Sequence, residues 1–144
     1  MLVWRISGFA DLSGRGGVLH AARWNHRGTA IVYTSDHVST ALLELLVHAD
    51  LDLLPERYQL LAIDIPETAT VETADLPEGW QDDIQATRDL WQDFVARAAA
   101  PVLAVPSAIT PHTRNYLINP ALAEVSGIRV SAIEAHRHDP RFRL

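Results

Sequence analysis

The sequence contains no cysteine, which excludes a disulfide framework, a thiolate zinc site and a cysteine nucleophile together. It also lacks long apolar runs. No stretch approaches the roughly 18 consecutive apolar residues of a membrane-spanning helix. Met1 to Ser7 shows no basic segment leading into an apolar run, so no secretory signal is expected and the expected location is the cytoplasm. Basic charge is scarce too: 12 Lys and Arg stand against 18 Asp and Glu, for a net charge of −6. That balance argues against a surface built to hold a nucleic-acid backbone. One short stretch departs from it, where Arg15, Arg23 and Arg27 gather and can hold a small anion. The GxGxxG and GxxxxGK(S/T) phosphate cradles are missing as well, so any nucleotide is bound by other means.

What is present describes one domain over residues 1–144. The length is typical of a single core, no Pro/Gly-rich linker divides it, and 48% hydrophobic with 21% charged residues is ordinary for a folded chain. Leu2–Ile6 reads as a first strand and Ser13–Gly17 as a glycine-rich loop. Ala30–Thr34 is β-branched and apolar without alternation, which suits a strand covered on both faces. Ser35 or Asp36 can cap a helix from His37 to His48, whose residues Val38, Ala41, Leu42, Leu45, Leu46 and Ala49 recur at helical spacing and are expected to face the core. Leu43 and Val47 flank that stripe, leaving only Thr40, Glu44 and His48 as a polar strip. Leu60–Ile65 reads as a strand followed by an acidic surface excursion to Gly79. Asp82 or Asp83 caps a second helix to Ala99, with Ile84, Thr87, Trp91, Phe94, Val95 and Ala98 as its buried stripe. Val102–Val105 is the next strand, Asn115–Pro120 a loop, and Ile128–Ile133 a last strand before a polar tail. Strands outnumber helices and do not alternate strictly with them, so an α+β arrangement is expected: a mixed, mostly antiparallel sheet with helices packed on it.

Several residues stand out for chemistry, each with a plainer alternative. Arg23, between small Ala21-Ala22 and Trp24-Asn25, can clamp a phosphate through its planar fork, or be a solvated loop arginine beside a core tryptophan. Tyr33, at the end of a buried strand, can stack on a nicotinamide or adenine ring, or be a core tyrosine with its hydroxyl on a backbone carbonyl. Glu44 is a lone carboxylate in an apolar helix. It must be paired or face a cavity if buried, or it simply faces solvent one turn before His48. Ser107 follows a strand and a proline without the GxSxG elbow, so a hydrogen-bonding role fits better than a nucleophile. Asn115 and Asn119 can fix a loop through side-chain bonds to the backbone. His136 and His138, with Asp139 beside them, lack a third placed ligand, so no metal is expected.

The order of these segments carries more than any one of them. Trp4-Arg5-Ile6, Ser13-Gly-Arg-Gly16, Arg23-Trp-Asn25 with Gly28, Val32-Tyr-Thr34, Ala41-Leu-Leu-Glu44, Val105-Pro-Ser107, Asn115-Tyr-Leu-Ile-Asn-Pro120 and Asp139-Pro-Arg141 follow one another along nearly the whole chain. This pattern resembles the RES domain, the toxin half of RES/Xre toxin–antitoxin pairs, named for an arginine, a glutamate and a serine. The resemblance implies a fold akin to ADP-ribosyltransferase toxins and an activity that consumes NAD⁺ as substrate. Nicotinamide would be released by hydrolysis, phosphorolysis or transfer of ADP-ribose. It implies Arg23, Glu44 and Tyr33 as catalytic, and Arg5, Arg23, Tyr33, Ser107 and Asn119 as contacts of the dinucleotide. It also implies an Xre-like antitoxin with a helix-turn-helix domain covering the active site, and dimers within such complexes. The alternative is a domain of the same fold that binds a nucleotide or a protein without turnover.

Two departures from the family pattern are visible. Ala21-Ala22 stand where the family usually has Gly-Gly, and Arg15 stands where an acidic residue is common between glycines. Alanine does not adopt positive φ cheaply, so a ligand needing close backbone approach there would bind less tightly.

Overall fold

In the computed structural model, which describes residues 1–142, seven strands form one sheet in the order β4-β5-β6-β2-β1-β3-β7. The strands are β1 (Leu2–Ile6), β2 (Val32–Ser35), β3 (Arg57–Asp64), β4 (Val71–Thr73), β5 (Val102–Pro106), β6 (Arg114–Ile118) and β7 (Arg129–Arg137). Four helices accompany them: α1 (Arg15–Leu19), α2 (Val38–His48), α3 (Ile84–Arg97) and α4 (Pro120–Ala123). Only β4 and β5 pair in parallel; every other neighbour is antiparallel. The expected mixed, mostly antiparallel sheet is therefore the one formed.

Alternation along the strands splits the apolar residues between two cores. Val3, Val32, Leu61, Ile63, Val102 and Ile118 pack with Ala123 and Ile128 on one face. Trp24, Ile31, Leu103, Val105 and Leu117 pack on the other against Trp91 and Phe94 of α3. Those two rings lie 5.2 Å apart and are fully buried, as the stripe Thr87, Trp91, Phe94 predicts. Truncating either to alanine removes packing worth about 3–5 kcal/mol. Ile84, expected in that stripe, is instead 42% exposed, because it opens the helix beside its cap, Asp83.

The structure corrects several local expectations. The glycine-rich segment is not all loop: Gly14 takes a left-handed conformation at φ 69 and starts the short helix α1. Asn115–Pro120 is not a loop: Asn115–Ile118 is most of β6, which sits between β5 and β2, and Asn119 and Pro120 open α4; the flanking asparagines concealed an apolar Tyr-Leu-Ile run. The acidic excursion supplies β4, and β7 runs four residues past Ile133. His37, not Ser35 or Asp36, caps α2. That helix is also less enclosed than its apolar sequence implies. Ala41 is buried, but Leu43 is 39% and Val47 60% exposed, so α2 lies over β1 and β2 as a cover with an open outer side. Among the described residues no helix is long and apolar enough to cross a membrane.

Candidate active site

The sheet opens where β1 meets β2. β1 pairs with β3 over five residues, but with β2 only through Trp4 and Ser35. α2 covers the fork, and the loop before β2 closes one side. The resulting cavity, about 230 Å³, is lined by Arg5, Arg23, Tyr33, Ser35, Glu44 and Asn115 among others.

Arg5 reaches into this fork from β1. Its guanidinium donates to the Tyr33 carbonyl at 3.3 Å and to Ser7 Oγ at 3.2 Å, while its buried Nε has no hydrogen-bond partner among the described residues. Burial lowers its pKa, and Asp11 and Tyr33 oppose that shift. An arginine stays charged under such conditions. No described carboxylate lies within ion-pair distance of it, so the fork holds a cation whose charge no described side chain neutralises by direct contact.

The loop carrying Arg23 is pinned from several sides. Asn25 is fully buried, and its Nδ2 lies 3.0–3.1 Å from the carbonyls of Gly17, His20 and His26. From α3, Thr87 Oγ1 donates to the Arg23 carbonyl and Arg88 Nε to the Ala22 carbonyl. Arg23 itself donates to the Gln81 carbonyl at 3.0 Å at the cavity mouth. Neither Ala21 nor Ala22 has positive φ, so alanine replaces the family's glycines there without strain. Arg15 lies away from the cavity, its guanidinium 5.6 Å above the Phe9 ring.

Tyr33 presents its ring to the cavity while its hydroxyl is engaged elsewhere. The hydroxyl donates to Asn25 Oδ1 at 2.6 Å and accepts the Trp24 amide at 3.1 Å. Burial is the main reason its pKa is pushed far above the ordinary phenol value, with nearby Glu44 adding a small push in the same direction.

Glu44 extends from α2 to the sheet. Its Oε1 accepts from Asn115 Nδ2 at 2.7 Å and from Ser107 Oγ at 3.0 Å. Its Oε2 accepts no hydrogen bond from the described residues. Ser107 Oγ also accepts the amides of Ile109 and Thr110 at 3.1 and 3.3 Å. One hydroxyl donor and two acceptor positions are thereby filled, leaving Ser107 to hold Glu44.

Arg5, Arg23, Tyr33 and Glu44 thus line one cavity, and Ser107 joins it through Glu44. Asn119 does not. It lies four residues beyond Asn115, about 13 Å along an extended chain, and its Oδ1 accepts the Ala121 amide to cap α4. The sequence reading missed Asn115 as a site residue, because its neighbours Ser35 and Val105 are brought to it only by strand pairing. His136 and His138 both pack on the Tyr58 ring, at 5.8 and 4.6 Å between centroids. Among the described residues no group of three or more His, Cys, Asp or Glu side chains could hold a metal ion.

Comparisons with known proteins bear on this geometry. The pattern of the RES domain matches residues 2–143. The chain is 40% identical over 147 residues to Toxin Res of Pseudomonas putida KT2440, covering 99% of each. It is 34% identical over 152 residues to the Prs ADP-ribosylating toxin of Sphingobium sp. strain YBL2, covering 96% of this chain and 94% of that protein. The crystal structure of the M. tuberculosis MbcT–MbcA toxin–antitoxin complex includes a chain that superposes with a TM-score of 0.71 at 15% identity, covering 94% of this chain and 84% of that one. That last likeness is one of fold.

Proposed function

The chain belongs to the RES domain family, and from that premise we propose that it is the toxin of a toxin–antitoxin pair and consumes NAD⁺ by cleaving the nicotinamide–ribose bond. The observation that carries this reading is Glu44: a carboxylate with one oxygen held by two donors and the other without a hydrogen bond from the described residues, in the same cavity as Arg5, Arg23 and Tyr33. At about 230 Å³ the cavity is smaller than the roughly 300–1,000 Å³ of pockets that enclose a whole drug-sized ligand. It takes the nicotinamide riboside end, with the remaining nucleotide along its open side.

Breaking the C–N glycosidic bond sends its electron pair to the pyridine nitrogen, so nicotinamide leaves neutral and positive charge builds on the ribose. The free Glu44 oxygen stabilises that charge or bonds a ribose hydroxyl, and does so without reorganising because its partner oxygen is already fixed. Arg5 and Arg23 hold the pyrophosphate, and the Tyr33 ring packs against the nicotinamide end. An oxygen nucleophile then bonds to the ribosyl carbon and releases its proton to solvent. Water, inorganic phosphate and a protein side chain are the candidate acceptors, and one relative is named for ADP-ribosylation. Ser107, with its hydroxyl fully engaged, acts through Glu44 rather than on the nicotinamide. The proposed site of action is the cytoplasm, and the proposed partner is an Xre-like helix-turn-helix antitoxin. A toxin–antitoxin complex among the structural neighbours supports such a partner, and a homodimer of this chain within its own complex with that partner is part of the proposal.

The test is to incubate purified protein with NAD⁺, with and without phosphate, and to follow nicotinamide release. Glu44→Ala and Arg23→Ala are expected to remain folded and lose activity. Parental rates in both variants overturn the assignments. NAD⁺ binding without nicotinamide release would make the chain a binding domain instead.

A further inference from the structure

We propose that Asn115 is a positioning residue that fixes which oxygen of Glu44 meets the substrate. The inference rests on the NAD⁺-cleaving reading above and extends it to residues that do not touch the reacting atoms.

Glu44 stands on a cover helix whose outer side is open, and three side-chain torsions separate its carboxylate from the backbone. Left alone, such a group samples several rotamers. Asn115 is its opposite in every respect. It is short, buried, and seated on a strand held on both sides, paired with Val105 across β5 and with Ser35 across β2. The 2.7 Å bond from its Nδ2 to Glu44 Oε1 is charge-assisted and ties a long side chain to an interior strand of the sheet. With Ser107 on the same atom, both lone pairs of Oε1 are occupied. Only Oε2 is left for a substrate.

The orientation of the Asn115 amide follows from the same contacts. Turned over, it would set its own oxygen 2.7 Å from a carboxylate oxygen, which is repulsive. The amide therefore presents nitrogen to Glu44 and oxygen to Ser35, whose Oγ donates to it at 2.8 Å. Asp36, the next residue, binds the Arg114 amide at 3.0 Å and Thr40 Oγ1 at 2.9 Å, fastening the start of α2 to the start of the strand that carries Asn115. Helix and strand are thus registered at two points, and Glu44 is held at the second.

Steady-state nicotinamide release by Asn115→Leu, Asn115→Asp and Ser35→Ala tests this, with folding followed by circular dichroism. Asn115→Leu loses the donor and is expected to lower kcat at least about tenfold, the scale on which small misplacements act, with KM within about twofold. Asn115→Asp keeps the shape but sets an acceptor against an acceptor, so near neutral pH it is expected to be as impaired as the leucine variant. A purely structural asparagine would cost stability in these variants without a selective fall in kcat at unchanged KM, so the kcat-against-KM split in folded protein is the deciding readout. Ser35→Ala keeps the donor but frees the amide oxygen, and is expected to lower kcat by about threefold; it carries the test alone if neither Asn115 variant folds. An active parent with parental kcat in a folded Asn115→Asp, or in Ser35→Ala where that variant stands alone, overturns this inference while leaving the NAD⁺ reading intact. A parent that releases no nicotinamide overturns both.

Discussion

The phenol of Tyr33 and the amide of Asn25 form one unit: a 2.6 Å hydrogen bond from the hydroxyl to Oδ1, with the Trp24 amide donating back to the same hydroxyl at 3.1 Å. Through it β2 holds the loop that carries Arg23. Replacing Tyr33 with phenylalanine leaves a buried acceptor and a backbone donor unmatched, so a loss of about 2 kcal/mol is expected in urea denaturation.

The same unit has an alkaline signature. Unfolded, Tyr33 titrates near its ordinary value of 10.0; folded, it titrates well above it because burial disfavours the phenolate. Above about pH 10 the unfolded chain has already released a proton that the native chain retains, so stability falls as pH rises and is fully present below that value. Tyr33 is therefore expected to ionise late, and chiefly as the chain unfolds. The check is phenolate absorbance followed against pH, with the late step missing in Tyr33→Phe.

Gly16 and Gly17 are neighbours in α1 with opposite tolerance for a methyl group. A Cβ on Gly17 would lie 2.6 Å from both Ile31 Cγ2 and the Thr29 carbonyl, and 3.1 Å from Asn25 Nδ2. On Gly16 it meets only Phe9, at 3.8 Å. Gly17→Ala is expected to cost about 1–3 kcal/mol and to disturb the Arg23 loop through Asn25, whereas Gly16→Ala should gain about 0.5–1 kcal/mol from reduced freedom of the unfolded chain. Paired urea titrations decide it, and equal midpoints for the two variants would refute the close approach at Gly17.

How much of this was legible beforehand depends on whether the signal is local. β1 and the centre of the α3 stripe follow from runs and periodicities within one segment: Leu2–Ile6 formed as read, and Thr87, Trp91 and Phe94 are buried, while Ile84 and Ala98 at the helix ends are exposed. β6 is hidden because Asn115 within it and Asn119 just past its end outweigh its apolar centre in any local reading. Glu44 lies in the cavity for a different reason from the one its sequence suggests: α2 is open on its outer side, and the carboxylate is held because it points inward to the sheet. The bonds of Glu44 to Ser107 and Asn115 span 63 and 71 residues. Strand order makes them, and no local pattern encodes strand order.

Ser107 separates two meanings of an active-site serine. Its hydroxyl donates to Glu44 and accepts two backbone amides, so under the proposed function it acts neither as a nucleophile nor as a direct ligand for substrate. Ser107→Ala is expected to lower kcat about tenfold, through a less constrained Glu44, with KM nearly unchanged, and a fluorophosphonate should leave the parent unlabelled. A raised KM at parental kcat would mean that the hydroxyl touches the ground-state substrate after all.

Arg5 offers the sharpest division between binding and stability. It is a cation inside the fork, with its Nε unmatched and no carboxylate in ion-pair reach among the described residues, an arrangement that costs desolvation and yields little until an anion arrives. Arg5→Met removes the charge while keeping an apolar stem, so the melting temperature should stay level or rise. Binding of ADP-ribose, measured by calorimetry, should weaken at least about tenfold, as loss of a charge-assisted contact implies. Its dependence on ionic strength should flatten. Arg5→Lys is expected to rescue little, since a single ammonium cannot reach the Tyr33 carbonyl, Ser7 and a phosphate with the geometry of a planar fork. If Arg5→Met binds ADP-ribose like the parent, the anion sits elsewhere and Arg23 alone must hold it.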